Sequence, residues 1–205
     1  MPGCSRISIP NPGNFTFIPT MFTIPNMIMI GGNSRNSGKT TMACSLISKL
    51  SVSHEVFGLK VTTARPGEDE MHGNHAEKES PDYSIFEELN SGAEKDTSKM
   101  LRAGAAHVYY IQAKEDFLEK TILHFMSGYI NNQIIVCESR SLRRTINPGL
   151  FLMMLRLPAE GKTKEDLSSY IELADKVFHF GADESEKKQF VDNMRFTNGK
   201  FDTNV

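Results

Sequence analysis

The feature that most constrains this chain is an apolar segment that leads into a loop of small residues and then into a helical pattern. Residues 27–30 are apolar, residues 31–41 read Gly-Gly-Asn-Ser-Arg-Asn-Ser-Gly-Lys-Thr-Thr, and apolar side chains recur at helical spacing from 39 to 50. A buried strand, such a loop and a helix together are typical of a phosphate-binding (Walker A) loop. Its backbone N–H groups converge at a helix N-terminus, where the helix dipole favours an anion.

The residues of this predicted loop have expected roles. Lys39 is expected to reach the outer phosphates of a nucleotide, and the Thr40 hydroxyl is expected to bind Mg²⁺. The common pattern has a glycine where this chain has Asn33, so either Asn33 takes the left-handed conformation of that glycine or the loop is one residue longer and begins at Gly32. The predicted nucleotide-binding residues are Gly32, Asn33, Ser34, Arg35, Asn36, Ser37, Gly38, Lys39, Thr40 and Thr41.

A phosphate site of this kind also needs an acidic residue at the end of a buried strand. The apolar run 134–137 ends at Glu138, which is therefore predicted to hold Mg²⁺ with Thr40 and to act in catalysis beside Lys39. Cys137 lies one residue earlier and should point to the opposite face of the strand. We expect it to be a core thiol rather than a nucleophile.

Four arginines are candidate substrate ligands. Arg140, Arg143 and Arg144 follow Glu138 closely, and Arg65 lies in the long charged segment 63–80, a candidate lid or substrate-facing loop. Guanidinium groups beside a phosphate site can bind a second phosphate or neutralise transferred charge. The three clustered arginines are equally compatible with a solvated surface, so both interpretations stay open.

The order of the predicted elements gives an α/β fold. Strands are predicted at 26–30, 55–62, 107–112, 133–137, 151–157 and 176–180, and helices at 39–50, 81–93, 96–104, 115–127, 164–174 and 184–190, with a hairpin-like end around Asn198-Gly199. This alternation predicts a three-layer P-loop NTPase with a mostly parallel central sheet and helices on both faces. The proline-rich residues 1–25 are predicted to be an N-terminal extension to a nucleotide-binding domain of residues 26–205.

Composition and charge exclude several classes of function. The formal net charge of −2 gives no bulk attraction to nucleic acid, and the 39% of hydrophobic residues is enough for a core. The three cysteines are widely spaced, which is typical of a reducing compartment, and no apolar run is long enough to span a bilayer. We therefore predict a cytoplasmic protein that binds neither nucleic acid nor membrane.

Four motifs occur in a recognisable order: Ser-Gly-Lys-Thr-Thr at 37–41, Phe-Gly-Leu-Lys at 57–60, a segment at 94–105 with Lys-Asp and Ala-Gly-Ala, and Val-Cys-Glu at 136–138. In this order they resemble the molybdopterin-guanine dinucleotide biosynthesis adaptor (MobB-type) family, over roughly residues 26–180. The resemblance implies a GTP-binding α/β protein, often a dimer, that hydrolyses nucleotide slowly while it assists a partner enzyme. It also implies that Asp96 is a second acidic residue of the catalytic site, beside Lys39 and Glu138.

The sequence therefore predicts a GTP- or ATP-binding protein with slow, Mg²⁺-dependent NTPase activity. No Asn-Lys-x-Asp motif follows a late strand, so the choice between GTP and ATP stays open. The alternative is a small-molecule kinase that uses the same loop and binds its acceptor through Arg65, Arg140, Arg143 and Arg144. A non-catalytic scaffold is a third possibility, although the intact Lys-Thr pair argues against it.

Overall fold

The computed structural model describes residues 21–64, 81–156 and 164–202. Within these residues the strands are β1 (Phe22–Gly32), β2 (Val56–Thr63), β3 (Tyr83–Glu87), β4 (His107–Ala113), β5 (Ile134–Glu138), β6 (Ile146–Leu155), β7 (Lys176–His179), β8 (Arg195–Thr197) and β9 (Lys200–Asp202). The helices are α1 (Lys39–Leu50), α2 (Asp96–Arg102), α3 (Leu118–Tyr129), α4 (Lys164–Glu172) and α5 (Glu184–Asn193). None of these helices is long and apolar enough to cross a membrane.

Seven of the described strands form one central sheet in the order β3-β4-β2-β5-β1-β6-β7. Every neighbouring pair is parallel except β3 and β4, which are antiparallel. Parallel neighbours require crossovers, and helices supply them on the faces of the sheet. The predicted α/β class with a mostly parallel sheet is therefore confirmed.

The helices cover the sheet on both faces, which gives three layers. Helices α1, α2 and α5 pack on one face, where Leu46, Met100 and Phe190 join one apolar cluster. Helices α3 and α4 pack on the other face through Phe125 and Tyr170. Along the central strand β1 the side chains alternate between the two clusters, and residues 27–30 are completely buried. Each such side chain contributes about 1.5–3 kcal/mol, which explains why the continuously apolar segment became the centre of the sheet.

The register of the strands brings charged residues together at one edge of the sheet. Ile30 of β1 pairs with Glu138 of β5, Glu138 pairs with Lys60 of β2, and Lys60 pairs with Tyr110 of β4. Paired residues of neighbouring strands share a face, so these four side chains form a row on the face that α1 and α2 cover. Glu138 is the last residue of β5, and the other three lie within three residues of the carboxyl ends of their strands, the side of an open α/β sheet where ligands bind.

Two predicted elements differ from the structure. The predicted helix at 81–93 is wrong, because Tyr83–Glu87 forms the antiparallel edge strand β3 on β4. Ser84 is buried on one face of this strand and Ile85 packs against the core on the other, and the backbone of β3 pairs with an edge that a helix would leave open. The central strand begins at Phe22, so the last residues of the predicted extension belong to the sheet. Residues 1–20 of that extension and residues 65–80 of the charged segment lie outside the described residues.

Three further local predictions are confirmed. Helix α1 begins at Lys39 as predicted, and Cys137 is completely buried among apolar side chains. Burial raises the pKa of the Cys137 thiol far above its ordinary value, which keeps it protonated and unreactive. The predicted hairpin joins β8 to β9, and both of its turn residues, Asn198 and Gly199, have positive φ (52° and 75°).

Candidate functional site

The chain between β1 and α1 is a tight loop, 33–38. Its geometry requires glycine directly before it, at Gly32, and as its last residue, at Gly38. A Cβ atom on Gly32 would lie 2.5 Å from the Ser37 Oγ atom and 2.9 Å from the Lys39 Cδ atom. Gly38 has φ of 92°, in the left-handed region that favours glycine, and it precedes the first residue of α1. No side chain caps the N-terminus of α1, and its first turn contains no acidic residue. The positive end of the helix dipole therefore faces the loop without a protein carboxylate in that turn.

Asn33 does not take the left-handed conformation, so the first of the two alternatives for this residue is wrong. Within the loop the non-glycine residue with positive φ is Asn36 (58°). Asn33 is buried, and its side-chain amide binds the backbone of Arg156 twice: Nδ2 donates to the carbonyl at 2.8 Å, and Oδ1 accepts from the N–H at 2.9 Å. The longer loop that begins after Gly32 fits this geometry, and Asn33 fastens it to the end of β6.

Lys39 lies folded over the loop. Its Nζ donates to the carbonyl oxygen of Ser34 at 2.7 Å and lies 3.4 Å from the Ser37 Oγ atom. Burial lowers the pKa of Lys39 below its ordinary value, while the neighbouring Glu138 carboxylate opposes that effect. The ammonium group is thus held where an anion bound at the N-terminus of α1 would meet it.

Thr40 and Glu138 meet as the sequence predicts. The Thr40 hydroxyl donates to Glu138 Oε2 at 2.8 Å, and Glu138 is buried at the carboxyl end of β5. A hydroxyl and a carboxylate are hard oxygen donors of the kind that Mg²⁺ prefers. Among the described residues no three His, Cys, Asp or Glu side chains form a group that could hold a metal ion. The pair fits Mg²⁺ in its common protein setting, where one or two side chains and the substrate phosphates share the ion.

Lys60 is the site residue that the sequence did not single out as functional. Its ammonium group forms an ion pair with Asp96 and lies 3.8 Å from Glu138 Oε1. The signal was available, because a lysine at the carboxyl end of an otherwise buried strand needs an anionic partner. Asp96 lies in the first turn of α2, directly after the N-cap residue Lys95. Burial alone would raise the pKa of Asp96, but the hydrogen bond and charge of Lys60 outweigh burial and lower it.

The predicted arginine ligands have separate positions. Arg143 is buried, with its guanidinium over the Phe151 ring and a hydrogen bond to the backbone carbonyl of Ile146. The Arg144 guanidinium lies over the Tyr170 ring, 5.4 Å from its centroid. Arg140 also stacks on Tyr170, and its charge helps to lower the pKa of Lys39. The charge of Arg140 therefore acts on the loop lysine, and Arg65 lies outside the described residues.

The two sides of the 33–38 loop have different chemistry. We call Lys60, Asp96 and Glu138 the charged side, and Met154, Arg156 and Phe180 the aromatic side. On the aromatic side the exposed ring of Phe180 lies against Gly38, so that a Cβ atom there would be 3.4 Å from the ring. The Arg156 guanidinium lies over this ring, 5.4 Å from its centroid.

A cavity adjoins each side. On the aromatic side, a cavity of about 370 Å³ lies between α1 and α5 and is lined by Gly38, Thr41 and Phe180, among others. On the charged side, a groove of about 970 Å³ runs between Lys60 and the segment that joins β3 to α2, with Tyr110 on its wall. Both volumes are in the range of small-molecule sites.

No family is assigned to this chain by comparison. Comparison with protein-family models, with curated proteins and with solved structures returned no match. The function is therefore inferred from the geometry of the site together with the order of the sequence motifs.

Proposed function

We propose that the chain is a P-loop protein that binds a nucleoside triphosphate, GTP or ATP, together with Mg²⁺. The observation that carries the proposal is the contact between Thr40 and Glu138, 2.8 Å long, at the N-terminus of α1. It joins the residue after the loop lysine to an acidic strand end that lies 98 residues later in the chain. The sequence predicts these two residues as partners in one metal site. Their contact supports that site better than either motif alone.

Each residue has a defined role in this proposal. Backbone N–H groups at the start of α1 bind the phosphates, and the helix dipole contributes to their affinity. Lys39 exchanges its bond to the Ser34 carbonyl for a charge-assisted bond to the outer phosphates. Thr40 and Glu138 hold Mg²⁺, which when bound supplies positive charge that neutralises the phosphates during transfer.

Slow hydrolysis follows from the state of the carboxylates. A carboxylate that activates water must be within hydrogen-bond reach of it and not committed elsewhere. Glu138 accepts a bond from Thr40, and Asp96 is paired with Lys60. We infer a slow NTPase that works as an adaptor, in line with the resemblance to MobB-type proteins. In this proposal the nucleotide-bound chain forms a dimer and assists a partner enzyme.

The test is phosphate release and nucleotide affinity with both ATP and GTP, for wild type and Lys39→Ala. Loss of the ammonium should lower affinity by at least about tenfold, the usual worth of a charge-assisted hydrogen bond. Lys49→Ala is the matched control, because Lys49 lies on the same helix at its opposite end. Unchanged affinity in Lys39→Ala would rule out the proposal, and equal losses in both variants would show that the effect is not local.

One observation favours a second candidate, a small-molecule kinase. The groove beside Lys60 opens next to the side chains that contact Thr40 and Glu138, so it could hold an acceptor near the outer phosphate. Arg140 is close enough to influence Lys39 and could assist, as the sequence predicts. Phosphate transfer that requires an added small-molecule acceptor would favour the kinase, whereas acceptor-independent release favours the NTPase.

A further inference from the structure

The position of the phosphates leaves two directions in which the rest of a nucleotide could extend from the loop. In one direction lies the charged side, where Glu138 accepts from the Thr40 hydroxyl and Lys60 lies between the Asp96 and Glu138 carboxylates. These groups suit a metal ion and the outer phosphates, and an uncharged ring would bury them without new partners. In the other direction lies the aromatic side, where the exposed Phe180 ring carries the Arg156 guanidinium over it and Met154 is buried beneath.

Phe180 is an exposed aromatic side chain beside the loop. Its side chain is 49% exposed, whereas Phe178, two residues earlier on β7, is completely buried. Leaving half of a phenylalanine ring in water forgoes much of the stabilisation that its burial would give. The ring also lines the cavity between α1 and α5, and Gly38 contributes to the same wall. The last residue of the loop therefore belongs both to the proposed phosphate site and to the cavity.

The end of β6 fixes this ring relative to the loop. The N–H of Phe180 donates to the carbonyl of Leu155 at 2.7 Å. On the other side of β6, Asn33 binds the backbone of Arg156 through its side chain and lies 3.4 Å, N to O, from the carbonyl of Met154. Three consecutive residues, the last two of β6 and Arg156 directly after it, thus hold both the loop and the ring. A platform that does not have to be ordered on binding loses less conformational entropy to its ligand.

We propose that the base of the bound nucleotide stacks at Phe180 and enters the cavity between α1 and α5. This inference rests on the proposed nucleotide binding and adds the direction of the nucleotide and the residue that holds its base. Stacking on an aromatic ring tolerates any base, because every base has a π-face. It accounts for a chain that has the phosphate loop but not the Asn-Lys-x-Asp motif that selects guanine.

The test compares nucleotides with inorganic tripolyphosphate, which offers the phosphates without a base. Phe180→Ala should weaken the binding of both ATP and GTP, measured by calorimetry with Mg²⁺, by roughly five- to hundredfold, the range for removal of one stacking partner. The same variant should bind tripolyphosphate as wild type does. Phe22→Ala is the matched control, since Phe22 is similarly exposed (43%) but lies at the amino end of β1. It should change neither affinity.

A second variant reports on the ring directly. The chain contains no tryptophan, so Phe180→Trp gives a single fluorophore at the proposed stacking position. Its emission should change when ATP or GTP binds and stay constant with tripolyphosphate. Nucleotide affinity unchanged in Phe180→Ala, or emission unaffected by bound nucleotide, would overturn the base site while leaving phosphate binding intact. Failure of wild type to bind tripolyphosphate or nucleotide would overturn the proposed function itself.

Discussion

The charged side and the aromatic side of the 33–38 loop differ in what their side chains are doing before any ligand arrives. On the charged side, Lys60 is paired with Asp96 and Thr40 with Glu138. On the aromatic side, Phe180 is half exposed to water, with the Arg156 guanidinium over its ring. A ligand must therefore exchange existing contacts on the first side, whereas on the second it gains by covering apolar surface.

This difference separates specificity from affinity. Exchanging one satisfied polar contact for another yields little net free energy. A ligand that does not replace the contact leaves a charge unpaired, which strongly weakens its binding. Covering an exposed ring is favourable for any flat apolar group. We expect the charged side to decide which phosphate and metal are accepted and the aromatic side to add affinity with little selection.

The largest effect should come from Gly32→Ala, because it disturbs both sides at once. The new methyl group would lie 2.5 Å from the Ser37 Oγ atom, which is in a completely buried side chain, so the loop must shift. We expect nucleotide and tripolyphosphate affinity to fall about a hundredfold and the free energy of unfolding by about 1–3 kcal/mol. Gly128→Ala is the control, because nothing lies within 4 Å of its Cβ position in α3. Binding at the wild-type level in Gly32→Ala would contradict a tight loop.

Glu138→Gln should break only the charged side. It keeps a polar group beside Thr40 but removes the negative charge that would hold Mg²⁺. The ratio of nucleotide affinity with Mg²⁺ to that with a chelator should be roughly 10- to 100-fold smaller than in wild type. Glu55→Gln, just before β2 at the opposite edge of the sheet, is the matched control. If the Mg²⁺ dependence survives in Glu138→Gln, the metal does not lie at this pair.

Asn33→Ala should loosen the connection between the two sides. Its amide makes two hydrogen bonds to the backbone of Arg156, and their loss leaves buried polar groups without partners. We expect the free energy of unfolding to fall by about 1–3 kcal/mol, from urea titration. Nucleotide affinity should fall more than tripolyphosphate affinity, because Phe180 is no longer held in register with the loop. Equal losses for the two ligands would argue against a shared platform.

Asp96→Asn should have the smallest effect, visible in the pH dependence of stability. The pKa of Asp96 is lowered in the folded protein, since Lys60 outweighs the effect of burial. A carboxylate with a lowered folded pKa stabilises the protein above its unfolded pKa, about 3.9, and loses that contribution as pH falls through the folded value. Below about pH 4 the free energy of unfolding should therefore fall less steeply in Asp96→Asn than in wild type. Lys60→Met should flatten the curve in the same way, and unchanged curves in both would exclude the ion pair as the cause.

The charged side was largely predictable from the sequence, and the aromatic side was not. Lys39, Thr40 and Glu138 lie at the ends of strongly patterned elements, and parallel strands bring their carboxyl ends to one edge whatever the loops do. Phe180 follows a short strand, where an aromatic residue ordinarily indicates core packing. Its exposure depends on how β6 and α5 meet, and this information is not local in the chain.

The two errors in detail have the same origin. Residues 81–93 carry a proline followed by apolar side chains, a pattern that a first helical turn shares with an edge strand, and the open edge of β4 decides between them. For Asn33, one of the two alternatives was a left-handed backbone conformation, which is a local role, yet its side chain binds a residue 123 positions away. Local propensity predicted the elements, but long-range pairing determined these two positions.

Lys60 has one more consequence, for the protein before it meets any metal ion. The Asp96 and Glu138 carboxylates both lie near Lys60 and would repel each other without its positive charge, and many metal sites fold only once the cation is present. Here Lys60 acts as an internal counterion to Asp96 and lies 3.8 Å from Glu138 Oε1. The charged side therefore contains its own cation, so the residues of the proposed Mg²⁺ site can come together without a metal ion.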